Sequence, residues 1–145
     1  MQRKIVLLSL VAGLMLLSMG QTVEARDPAV IADSCIGSMT TTADRCISSI
    51  SAKSDGCVVR INALLADGKV DRAQSLGQRC IKSIRRASLR CERSLNRKRV
   101  SCYLNLMDMG ADALALEVQA VGQGLVAEVR AASKAAVDAI NAALP

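Results

Sequence analysis

Residues 35–102 read CIGSMTTTADRCISSISAKSDGCVVRINALLADGKVDRAQSLGQRCIKSIRRASLRCERSLNRKRVSC, a stretch that begins and ends on cysteine and holds all six of the chain's cysteines. They stand at Cys35, Cys46, Cys57, Cys80, Cys91 and Cys102, with separations of 11, 11, 23, 11 and 11. Eleven residues of α-helix turn through about 1100°, which is three turns and some 20°. Cysteines at that spacing share one helix face and lie about 16 Å apart along the axis. A disulfide needs Cα atoms about 4.4–6.8 Å apart, so such neighbours cannot pair within a helix. Nor can they share a zinc ion, whose sulfur ligands stand about 2.3 Å from the metal.

The spacing is also a palindrome. The midpoints of 35 and 102, of 46 and 91, and of 57 and 80 all fall between residues 68 and 69. That point carries Asp67-Gly68-Lys69, a turn sequence with glycine available for the left-handed helix stop. Asp71 is placed to cap the returning helix. Packed helix axes lie about 8–10 Å apart and each Cα sits about 2.3 Å off its axis, so facing Cα atoms approach to about 4–5 Å, near the disulfide range. The expected pairs are Cys35–Cys102, Cys46–Cys91 and Cys57–Cys80, one of about 15 connectivities open to six cysteines. The same pairs made between two chains of an opened, swapped dimer are the alternative.

The apolar pattern runs with the cysteines. Ile31, Cys35, Met39, Cys46, Ile50, Cys57, Ile61 and Leu64 fall on one stripe. Leu76, Cys80, Ile84, Ala87, Cys91, Leu95 and Cys102 fall on another, at helical spacings of three, four and seven. An 11-residue repeat, about 3.67 residues per turn, predicts a nearly straight hairpin with a slight right-handed coil. Asp27-Pro28 is a start signal, with Asp as N-cap and Pro at the first helical position.

Around this hairpin, residues 1–25 read as an export signal. Arg3 and Lys4 are followed by an apolar run from Ile5 to Met19, and Val23-Glu24-Ala25 offers small residues for cleavage before Arg26. Removing them, with Arg3, Lys4 and Glu24, leaves 17 of 19 basic and 12 of 13 acidic residues, a charge of +5. An even cysteine count in a short exported chain points to a disulfide framework and an extracellular location. The chain has no Phe, Trp or His and one tyrosine, Tyr103, a composition suited to helices rather than a β-sandwich.

The expected fold is therefore all-α: a disulfide-laddered helical hairpin over residues 26–109, turning near 67–70, and an Ala-rich amphipathic helix over 110–145. In that last segment Leu114, Val118, Val121, Leu125, Val129, Ala132, Ala136, Ile140 and Ala143 step by threes and fours, interrupted only by Gly122 and Gly124. It has no cysteine, and is expected to pack back on the hairpin or to self-associate. A membrane-surface helix is a weaker reading, because its polar face lacks the usual Lys/Arg density.

The second helix is strongly basic. On a helical wheel Arg79, Lys82, Arg86, Arg90, Arg93 and Arg97 cluster opposite the cysteine seam, a stripe about 27 Å long. Such a stripe suits an anionic glycan, an acidic protein or an anionic lipid surface, or serves as a solvated face. Nucleic acid is not expected, because the chain lacks aromatic stacking platforms. Without histidine, Ser-His-Asp and Cys-His catalysis are excluded. No metal spacing, P-loop or dinucleotide glycine motif appears. The reading is a non-enzymatic interaction or structural protein without cofactor. A cationic host-defence protein acting on anionic membranes is the first alternative, and a carrier of small apolar ligands the second.

The signal segment together with cysteines spaced from Cys35 to Cys102 along Ser/Ala-rich helices resembles the insect secreted proteins with a TsetseEP-type domain. That resemblance implies export and a helical, cysteine-bearing fold. Insect odorant-binding proteins share the length and cysteine count, but have three residues between the second and third cysteines where this chain has ten. Twin-CX9C proteins are similar only in stapling two helices.

By propensity the first helix is weak. Gly37, Thr40, Thr41, Thr42, Ser48, Ser49, Ser51, Ser54 and Gly56 each cost from a few tenths to ~1 kcal/mol against Ala. Each rung offsets this by ~3–4 kcal/mol, less when nested. Reduction is therefore expected to melt residues 31–66 first. Helical circular dichroism in reductant, with amide exchange to localise the loss, checks this; an unchanged spectrum contradicts it.

Overall fold

The computed structural model describes residues 27–145; the expected export signal at 1–25 lies outside the described residues. Three helices follow in order: α1 (Pro28–Ala66), α2 (Val70–Asp108) and α3 (Asp112–Ala142). The helical assignment leaves no strand among the described residues.

Local chemistry sets every boundary. Asp27 caps α1, its Oδ1 accepting from Ala29 N at 2.9 Å, with Pro28 at the first position where no N–H is needed. Both connections are the same three-residue device. Gly68 and Gly110 each take φ 71°, a left-handed conformation that costs glycine least. At the first turn Gly68 N donates to Leu65 O (2.9 Å) and Lys69 N to Leu64 O (2.8 Å). At the second, Gly110 N donates to Met107 O (2.9 Å) and Ala111 N to Leu106 O (2.9 Å). These are paired Schellman closures that satisfy the last carbonyls of each helix. One expectation fails here: Asp71 does not cap α2. The N-cap is Lys69, without a side-chain cap bond, and Asp71 lies within the first turn. Its carboxylate still sits where a helix N-terminus favours negative charge.

The three disulfides are those the palindrome predicts, Cys35–Cys102, Cys46–Cys91 and Cys57–Cys80, all within one chain. They fix α1 and α2 as antiparallel. The Cα separations are 6.1, 6.0 and 6.3 Å. This is wider than closest helix packing would give, because the cystine itself occupies the gap. Near-equal separations at three heights also mean that the helices neither diverge nor slip over the ladder.

α3 packs back on the hairpin, meeting both α1 and α2. A Cβ at Gly77 would stand 2.7 Å from Leu144 Cδ1, and one at Gly122 would stand 2.8 Å from Arg99 Cγ and Cδ. These facing pairs share a midpoint between residues 110 and 111, so α3 is antiparallel to α2. Ser54 Oγ donates to Ala136 O at 3.1 Å and ties α1 to α3 in the interior. The architecture is an up-down-up three-helix bundle.

The core repeats with the ladder. Its largest fully buried side chains are Met39, Ile50 and Ile61 on α1, Ile84, Leu95 and Leu106 on α2, and Val118, Val129 and Ile140 on α3. Each trio steps by eleven. Heights taken from the facing pairs group them as Ile61, Ile84 and Ile140 beside the Cys57–Cys80 rung; Ile50, Leu95 and Val129 beside Cys46–Cys91; and Met39, Leu106 and Val118 beside Cys35–Cys102. The steps of four, three and four that mark α3 in the sequence are the same eleven. One slice, made of a rung and an apolar trio, is thus used three times. Leu95→Ala in the middle slice is expected to lower stability by ~2–5 kcal/mol, measured by urea unfolding of the oxidised protein.

Candidate functional site: the basic edge of the second helix

α2 carries ten basic residues against three acidic, while α1 is balanced and α3 has a net charge of −2. The cause lies in its packing. α2 gives one flank of its cysteine row to α3 through Gly77, Ser88 and Arg99, leaving the opposite flank to water. All six stripe residues, Arg79, Lys82, Arg86, Arg90, Arg93 and Arg97, are exposed there. Among the described residues the ion pairs are Lys69–Asp67 (2.8 Å) and Arg130–Glu92 (2.8 Å), and neither involves the stripe. The acids of α1 that recur at the same period, Asp33, Asp44 and Asp55, are exposed on its outward face. Positive and negative rows are thus kept apart by the fold.

Two other cations of α2 are engaged with neighbouring helices. Lys98 Nζ reaches across to α1, donating to Ser38 O (3.2 Å), Ser38 Oγ (2.7 Å) and Thr42 Oγ1 (2.8 Å). The stem of Arg99 lies over Gly122 of α3. Arg85 borders a groove of about 690 Å³ between α2 and α3 with Arg130, Lys134 and Asp138. At the floor of that groove Glu92, its side chain 14% exposed, accepts from Ser88 Oγ (3.2 Å) and Arg130 Nε (2.8 Å). This contact ties α2 to α3.

The stripe is less isolated from the disulfide seam than its wheel position implies. Arg79 lines a groove of about 800 Å³ over the Cys57–Cys80 rung, together with Lys53 and Arg60 of α1. Arg97 lines a second groove, of about 410 Å³, over Cys35–Cys102, with Lys98 and Ser38. The reason is adjacency. Arg79 directly precedes a cysteine, only about 100° away around the helix, so its side chain borders the seam even while its Nε donates back to Ser75 O of its own helix (3.4 Å). Lys53 and Arg60 were not singled out from the sequence, because each stands alone on a helix without net charge. The palindrome could have found them, since it sets residues 53 and 60 opposite 84 and 77.

Among the described residues no group of His, Cys, Asp or Glu is arranged to hold a metal ion, and no helix is long and apolar enough to cross a membrane. The last third of α2 exposes Val100, Leu104 and Met107 on one side, continuing the basic stripe as an apolar patch. No family model, curated protein or solved structure matches this chain.

Proposed function

We propose that the protein is exported and non-enzymatic, and acts as a rigid rod that presents the α2 edge to an anionic extracellular partner. One observation carries the reading: six exposed cations run along about 27 Å of a single helix, none of them in an ion pair among the described residues. Unpaired guanidinium groups held on a stiff scaffold bind sulfate, carboxylate or phosphate with little ordering cost. Export is supported by three disulfides with no free cysteine, which persist in an oxidising compartment, and by the resemblance to secreted TsetseEP-type proteins. The non-enzymatic part rests on the sequence, which has no histidine and commits its cysteines to rungs.

Heparin-affinity chromatography tests the reading. Changing Arg86, Arg90 and Arg93 to Glu is expected to move elution to much lower salt without loss of helical signal, since the three side chains are exposed. Equal elution of both proteins contradicts it.

A second reading, action on anionic membranes, is favoured by the apolar patch of Val100, Leu104 and Met107 beside the cations. A basic face next to exposed aliphatics can seat in the headgroup region. It predicts dye leakage from phosphatidylglycerol vesicles at micromolar protein, reduced by Leu104→Ser. Intact vesicles remove this reading.

A further inference from the structure

Each cysteine sits in a recurrent five-residue frame: SCIGS (34–38), RCISS (45–49), GCVVR (56–60), RCIKS (79–83), RCERS (90–94) and SCYLN (101–105). The residue before the cysteine and the third after it are always Ser, Arg, Gly or Asn. Neither position holds an acid or an aliphatic. On a helix of about 3.67 residues per turn these two positions fall on the same flank of the cysteine. The third residue before and the fourth after fall on the other flank, where Ala32, Ala43, Ile50, Ser54 and Ile61 are buried under α3. The ladder therefore has a dry side, sealed by the third helix, and a wet side built to one recipe at all three heights.

The wet side is concave over the Cys57–Cys80 and Cys35–Cys102 rungs. Small residues such as Gly56, Ser49 and Ser83 floor the groove at Cys57–Cys80 while Lys53, Arg60 and Arg79 rim it. Both guanidinium groups are laid back along their own helices, Arg60 Nε donating to Gly56 O (3.0 Å) and Arg79 Nε to Ser75 O (3.4 Å). Each uses one of about five donors that way, and the groove between stays open. At the middle rung Arg45 and Arg90 directly precede the two bonded cysteines, one on each wall. At Cys35–Cys102 the groove is lined by Arg97 and Lys98 with Ser34, Ser38 and Ser101. Neither groove has an acid in its lining. Positive charge thus recurs at each rung, about 16 Å apart.

We propose that the wet side of the disulfide ladder is the binding site of a linear sulfated polysaccharide, lying along the bundle axis with sulfates against the cations of successive rungs. This rests on the anionic-partner reading and assigns both its place and its chemistry. A flat bilayer cannot enter a trough between two helices. No aromatic side chain lines the grooves, so the bases of a single-stranded nucleic acid would find no stacking surface. An acidic helix, about 10 Å across with its side chains, is too thick to reach the small-residue floor. A sugar chain is narrow, and its hydroxyls and sulfates match serine hydroxyls below and guanidinium groups above.

Calorimetry with size-graded heparin oligosaccharides on the oxidised full chain tests this. Lys53→Gln with Arg60→Gln, both exposed and on the helix that lacks the stripe, is expected to weaken binding by about tenfold and to lower the salt slope by about two. Arg130→Gln with Lys134→Gln removes the same charge from α3 and is expected to leave affinity almost unchanged. Affinity of the native protein is expected to rise in steps as fragments pass about 16 Å and about 33 Å. If the Lys53/Arg60 variant binds as the native protein does while the Arg86/Arg90/Arg93 variant loses binding, the groove is overturned and the outer stripe stands. If no oligosaccharide binds the native protein and vesicles leak, the polysaccharide is replaced by a membrane. Equal weakening by the α1 and α3 pairs would reduce the effect to net charge and also overturn the site.

Discussion

Two helices joined at three heights cannot slide, roll or separate independently, and everything else in this bundle is arranged around that restraint. For sulfur to meet sulfur at each level, both helices must bring the same face round after every third turn. The eleven-residue period meets that condition with a drift of only some 20°. Once the seam keeps this phase, so does every other row. The apolar trios, the buried small residues at 32, 43 and 54, and the exposed aspartates at 33, 44 and 55 all recur at eleven. The third helix carries no cysteine yet follows the same count, because its side chains must fit between rows that do.

The restraint also explains a core without a single phenylalanine or tryptophan. Slender bundles bury few large side chains, and this one relies on one aliphatic trio per slice. Cross-linking raises the free energy of the unfolded chain instead of deepening the packed interior. That tolerance lets α1 keep threonine, serine and glycine at positions where a free helix would need alanine or leucine. The small residues are in turn what lets Lys98 cross to Ser38 and Thr42, and what leaves the seam hollow on its wet side.

Much of this could be read from the letters alone, for a physical reason. Disulfide pairing is a distance condition, and a palindromic spacing on helices satisfies it with one set of pairs. Gly68 marks the fold-back because few other residues tolerate its backbone. What could not be read is equally instructive. Periodicity shows which face of α3 is apolar, not which flank of the ladder it will cover, and that choice decides which cations remain in water. Arg99 and Lys98 look like members of the basic helix face, but their stems and ammonium groups are spent on neighbouring helices. Asp71 reads as a cap because its residue type favours one, whereas the Schellman closure at Gly68 starts the next helix two residues earlier. Lys53 and Arg60 come to line one groove with Arg79 only once the hairpin has closed.

The two connections have an implication of their own. Each is closed within three residues, its amides already donating back into the helix that has just ended. A protease must draw several residues of extended backbone into its cleft, and neither corner can release that length without unwinding helical turns. The corners are thereby poor sites for cleavage. The same tight corners that make the rod short of loops would let it persist among hydrolytic enzymes.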